Sequence, residues 1–147
     1  MKNILFLSIM FVLFFSCSKE SSNPTQVSIT GVTLNSFPVT ESNGASWDLT
    51  SGPDIYFQIY QGSTLVYEHP TYFENINTAQ SFTLATPIDL IPSNEYIFQL
   101  MDYDNLDDDD WMGGISFYPY SEGSGTPKTK TLAPGDISVT FSLSYQF

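Results

Sequence analysis

The chain has 147 residues, room for one domain, and 16 acids against four lysines give it a formal charge of −12. That balance argues against nucleic acid and against unaided docking on anionic lipid, and it is compatible with a divalent cation. Hydrophobic residues make up 41%, sufficient for a single core, and a lone cysteine excludes an internal disulfide.

Lys2 and Asn3 lead into an apolar run from Ile4 to Phe15, followed by Ser16 and Cys17. A basic start, a short apolar core and a small residue predict a secretion signal over residues 1–16, since the run is too short to span a bilayer comfortably. Phe14-Phe15-Ser16-Cys17 resembles a lipobox in which Phe replaces the usual first Leu. That resemblance implies a bacterial lipoprotein lipidated at Cys17 and anchored in the cell envelope, on the outer membrane, facing either the periplasm or the exterior. The alternative is an ordinary signal cut near Ser16 that leaves a stray thiol. Removing residues 1–16 takes away Lys2 and no acid, so −12 becomes −13, with Lys19, Lys128 and Lys130 left. Residues 17–26, polar and containing Pro24, read as the lipidated cysteine and a flexible tether.

From Val27 onward, short β-prone runs are cut by Gly, Pro, Asn and Ser, without helical periodicity of useful length. Strands are predicted over 27–37, 54–60, 64–68, 80–85, 95–101, 112–118, 128–132 and 137–147. Gln61-Gly62-Ser63 reads as a hairpin turn, and residues 86–94 as a crossover. The 95–101 strand is apolar nearly throughout and should be central, whereas the last alternates cleanly, with Ile137, Val139, Phe141, Leu143 and Tyr145 on one face. Residues 27–147 therefore read as an all-β, eight-stranded antiparallel sandwich.

Met101 to Gly114 reads MDYDNLDDDDWMGG, with six aspartates between positions 102 and 110. Carboxylates so dense repel one another unless solvent screens them or a cation neutralises them. If strands alternate up and down from Val27, the loops at 38–53 and 102–111 share one end of the sandwich. Asp48 and Asp54 then face the aspartate run, as a multi-ligand calcium site requires.

The spacings resemble those of a C2 domain, the calcium- and phospholipid-binding sandwich of protein kinase C and synaptotagmin. The first loop has Asp48 and Asp54 six apart, with Ile55 where the family has Pro; the later loop has Asp102, Asp104, Asp110 six further on, and then Gly113. Asp107 stands where a further oxygen ligand often lies. The resemblance spans residues 27–147. It implies Ca²⁺ held by Asp48, Asp54, Asp102, Asp104, Asp107 and Asp110, with Leu49 and Leu106 as loop tips that contact membrane. Trp111 and Met112 add apolar surface nearby, for which packing at the loop base is the expected role. Because the strand beginning at Gly135-Asp136 closes the domain instead of opening it, the permuted, phospholipase C-like topology is implied, with both domain ends at the opposite pole. Residues 64–85 contain no Lys or Arg, so the basic patch that reads phosphoinositides in some relatives is missing.

Other chemistries fit less well. An EF-hand loop starting at Asp102 would need Gly at its sixth position, which is Asp107. Zinc lacks ligands, since His69 is the single histidine, and His69 itself reads as an ordinary strand-end residue. No nucleophile with a histidine partner can be assembled, so an enzyme is not expected. Three functions remain: a calcium module that binds an anionic phospholipid surface or envelope partner, an adhesion or scaffold sandwich with purely structural calcium, or a carbohydrate-binding surface lipoprotein using Trp47, Trp111 and the tyrosines.

Overall fold

The computed structural model describes residues 23–48, 51–105 and 108–147. The signal segment, Cys17, Leu49, Leu106 and Asp107 lie outside the described residues. Among the described residues nine strands build two antiparallel sheets: β1 (Gln26–Ser36), β2 (Ile55–Gln61), β3 (Thr64–Glu68), β4 (Gln80–Phe82), β5 (Ile88–Leu90), β6 (Tyr96–Asp102), β7 (Asp110–Phe117), β8 (Thr129–Leu132) and β9 (Ser138–Gln146). One sheet has the order β4-β1-β9-β8 with β5 also on β1; the other has β3-β2-β6-β7.

The count exceeds eight because β4 and β5 lie in line along the same edge of β1. Phe82 pairs with Val32, and Leu90 with Val27. Residues 83–87, with Pro87, interrupt what is otherwise one strand, so the stretch 86–94 carries a short strand as well as the crossover.

In β1, Val27 and Ile29 face the core, and then Val32 and Leu34 do, which breaks the two-residue period. The break is a register shift between Ile29 and Gly31 against β9. One extra residue there restores the inward phase for the second half of the strand. In β9 the alternation holds, with Val139, Phe141 and Leu143 buried. β6 is central to its sheet, flanked by β2 and β7. It still alternates, burying Tyr96, Phe98, Leu100 and Asp102 while the residues between are only partly covered. Phe57 and Phe98 meet at 5.4 Å, and Phe98 meets Phe141 of the facing sheet at 5.7 Å, so aromatic rings join the two layers.

The pairings fix which loops share a pole. β1 and β6 both run towards one end, and β2 and β7 leave from it. The loops 37–54, 69–79, 103–109 and 133–137 therefore gather at one end, called here the acidic pole. The domain's first and last strands meet at the basal pole, where Gln26 pairs with Gln146.

Candidate functional site

Asp102 anchors the acidic pole. Expected in a loop, it is instead the last residue of β6, on the strand's inward face, and only 1% exposed. Its Oδ1 accepts the backbone N–H of Asp54 at 2.6 Å, which joins the first loop to the third. Its Oδ2 is buried with no hydrogen-bond partner. Burial raises its pKa to about 7; the bond from Asp54 opposes that shift, and the charges of Asp48, Asp104 and Asp54 reinforce it. An inward carboxylate facing other carboxylates is poorly solvated as an anion.

The neighbouring acids are held by the loops themselves. Asp54 Oδ1 accepts the N–H of Asn75 at 2.8 Å. Asp109 takes two bonds, from the N–H of Asp104 at 3.1 Å and from the hydroxyl of Tyr56 at 2.6 Å. Burial, with the bond to Asp109 next, pushes the Tyr56 hydroxyl well above the usual phenol range. Asp48 and Asp104 are half-buried, whereas Asp110 is exposed and opens β7 directly opposite Asp102. The pole thus brings Asp48, Asp54 and Asp104 close enough for their charges to act on Asp102, with Asp110 at the rim.

Among the described residues no three His, Cys, Asp or Glu side chains converge as a metal site. Loop-backbone donors hold Asp54 and Asp109. The donor set, all carboxylate and with one orphaned buried oxygen, suits a hard cation such as Ca²⁺ and lacks the nitrogen or sulfur that zinc prefers.

The loop over residues 69–79 completes the pole. Tyr72 stacks on Tyr103 with ring centroids 4.3 Å apart, and the N–H groups of Tyr103 and Ile76 donate to the carbonyls of Asp54 and Pro53. Asn75 takes a left-handed conformation at φ 55°, and a Cβ on Gly52 would lie 2.7 Å from the carbonyl oxygen of Ile76. The part played by residues 72–76 goes beyond the sequence expectation, although the alternation that places loops 38–53 and 102–111 together also brings this loop to the same end. Asp109 goes beyond it too, because its role follows from Tyr56 across the sheet and not from spacing in the run.

Other expectations need correction. Met112 is buried as a packing residue should be, but Trp111 is 61% exposed. The register pairs it with Met101 on the outward face of an edge strand. Trp47 packs partly against the core and donates its indole N–H to the carbonyl of Pro38 at 2.8 Å. Both tryptophans line a groove of about 1020 Å³ that also includes Glu41, Asp110 and Asp136. His69 is more than a strand-end residue. It is buried with its ring packed at 5.3 Å from Phe57 and 5.0 Å from Phe82, and its Nδ1 sits 2.7 Å from the carbonyl of Thr71.

Two stacked antiparallel sheets with loops gathered at one pole make a β-sandwich, and solved C2 domains share this fold. A C2 domain of plant extended synaptotagmin 1 matches with TM-score 0.57 at 13% identity, over 85% of this chain and 97% of that one. A C2 domain protein from Ramazzottius varieornatus matches with TM-score 0.51 at 11% identity, over 84% of this chain and 91% of that one. Human GIVD cytosolic phospholipase A2, solved with a fluorophosphonate inhibitor and terbium chloride, matches with TM-score 0.57 at 12% identity over 85% of this chain. The chain spans only 18% of that phospholipase's length. No family model and no curated protein matches.

Proposed function

We propose that this chain is a lipid-anchored calcium-binding module of a bacterial cell envelope, which recruits an anionic phospholipid surface or partner through metal held in its acidic loops. The observation that carries the reading is the buried, unpartnered Oδ2 of Asp102 among the charges of Asp48, Asp54 and Asp104. Asp48, Asp54, Asp102, Asp104, Asp107 and Asp110 hold the ion, while Asp109 orients the loop through Tyr56 and Asp104. Bound Ca²⁺ supplies positive charge and open coordination positions that a phosphate or carboxylate oxygen can complete. Leu49 and Leu106, the tip positions that the resemblance implies, contact the recruited membrane.

The test is terbium luminescence sensitised by the nearby aromatic rings of residues 23–147, with displacement by calcium. Extracellular calcium modules bind at about 10⁻⁴ to 10⁻³ M, and saturation in that range is expected. Absence of saturable binding at about ten times that concentration would sink the proposal. Calcium-dependent pelleting with anionic vesicles then separates recruitment from a structural ion, which would stabilise the domain without pelleting it.

A second reading, carbohydrate binding, is favoured by the groove that brings Trp47 and Trp111 together with carboxylates. Glycan binding that survives chelator and is lost in Trp111→Ala would establish it.

A further inference from the structure

We propose that the basal pole is itself a docking face, and that it rests on the interface of the same bilayer that holds Cys17. The domain then stands upright with its acidic pole turned outward. This rests on the lipoprotein reading of residues 1–17.

The composition of the face comes first. Leu90 pairs with Val27 and Gln146 with Gln26, so Ile91 and Phe147 flank the chain where it enters β1. Both are exposed, at 55% and 66%, and Tyr118 at the end of β7 is 47% exposed. Tyr120 donates its hydroxyl to Asn23 at 3.2 Å and meets the ring of Tyr145 at 6.4 Å, which ties the loop after β7 to the start of the domain. Tyrosines beside apolar side chains suit the headgroup region, where one end of the ring is wet and the other dry.

Charge favours the same face. The loops of the acidic pole carry Glu41, Asp48, Asp54, Glu74 and Asp136 besides the six aspartates of the run, and they carry no lysine. The two lysines of the described residues, Lys128 and Lys130, lie midway along the sheet, where Lys130 pairs with Phe141 and Phe141 with Val32 of β1. From there Lys130 donates to the carbonyl of Tyr118, just past the basal end of β7. Among the described residues the basal end carries three acids, Asp89, Glu95 and Glu122, far fewer than the acidic pole. It is the face of this acidic protein that meets a bilayer with least repulsion.

Reach decides the rest. Six residue steps separate Cys17 from Asn23, at most about 20 Å of chain. β1 then runs 11 residues away from that end, about 36 Å at strand rise. A lipid on Cys17 therefore holds the basal pole at high effective concentration over the membrane, so that a few apolar side chains suffice to seat it. The acidic pole is left free for a second surface, and the module acts between two surfaces.

The experiment uses the full lipidated chain in phosphatidylcholine vesicles with a minor share of phosphatidylglycerol. A fluorophore is placed at Phe147→Cys or, as the outward control, at Val39→Cys. Doxyl-labelled lipid should quench the first several-fold more than the second. Adding Ile91→Glu and Tyr118→Glu should bring quenching at position 147 down to the control level while the protein still floats with the vesicles. Equal quenching at both positions in a floating protein overturns the docking and leaves the anchor standing. A protein that does not float overturns both. Dimers that shield position 147 without quenching would make this pole a contact between copies of the chain, and they too would overturn the proposal.

Discussion

The two poles are held together in different ways. At the basal pole the backbone ladders run to the end: Gln26 pairs with Gln146, and the N–H of Thr25 still donates to the carbonyl of Gln146. At the acidic pole the ladders stop at Asp102 and Asp110, and beyond them carboxylates take over, capping the N–H groups of Asp54, Asn75 and Asp104. A ladder is indifferent to pH and cations. A pole stitched by carboxylates is not, and in this domain the stitching groups are neighbours of the proposed metal ligands, or the ligands themselves.

The largest way to expose that difference is pH. In the metal-free protein Asp102 has its pKa raised from 3.8 to about 7. Below about pH 4 the group is protonated in both states and adds nothing. Above that the unfolded chain loses its proton first, so stability falls as pH rises, until the folded carboxyl also ionises near 7 and the loss levels off. The full loss is on the order of 4 kcal/mol at 1.36 kcal/mol per unit. Denaturant titrations of chelated protein at pH 5 and 8 should show the decline, and Asp102→Asn should flatten it. An unchanged slope in that variant would place the linkage elsewhere.

Calcium should reverse the decline. At a hundred times its dissociation constant a ligand of the folded state adds about 2.7 kcal/mol, which for a domain of this size raises Tm by about 10 °C. The rise should vanish in Asp102→Asn/Asp104→Asn. It should persist in Ile91→Glu, which alters only the basal pole.

What could be seen in the sequence differed in the same way between the poles. Alternation in β9, the apolar β6 and the Gly62 turn carried the sandwich, because the period of side chains along a strand is local information. Strand parity then brought Asp48 and Asp54 to the aspartate run. The bulge that rephases Val32 and Leu34 could not be read, since an extra residue is recognised only against its partner β9. Nor could Trp111 be assigned, because β7 starts two residues earlier than expected and at a sheet edge, which turns the indole outward. Asp109 and Asn75 depend on atoms of other loops, and spacing within one loop does not contain them.

Gly113 probes the backbone beneath the pole. It sits at φ 148°, and a Cβ there would lie 2.5 Å from Cδ1 of Ile137. Gly113→Ala should cost about 1–3 kcal/mol by strain at that conformation. Gly114→Ala, whose Cβ would meet the carbonyl of Phe98 at an ordinary 3.4 Å, should cost much less. Equal losses would mean that β7 relaxes at the register shift between Leu100 and Met101.

The smallest effect is the most discriminating. Tyr56→Phe removes one hydroxyl that donates to Asp109 Oδ2 at 2.6 Å and leaves the ring in place. Asp109 is only half-buried and can turn to water, so the loss should be near 1 kcal/mol. If that bond orients the loop for metal, calcium affinity should weaken by a similar energy, about fivefold. Asp109→Asn should do little more, because an amide oxygen can still accept from the N–H of Asp104. Asp110→Asn should be far worse, since it removes a proposed ligand. The reverse ranking, with Asp109→Asn abolishing binding and Asp110→Asn tolerated, would move the ligand assignment by one residue and make the bond from Tyr56 a contact that positions a ligand.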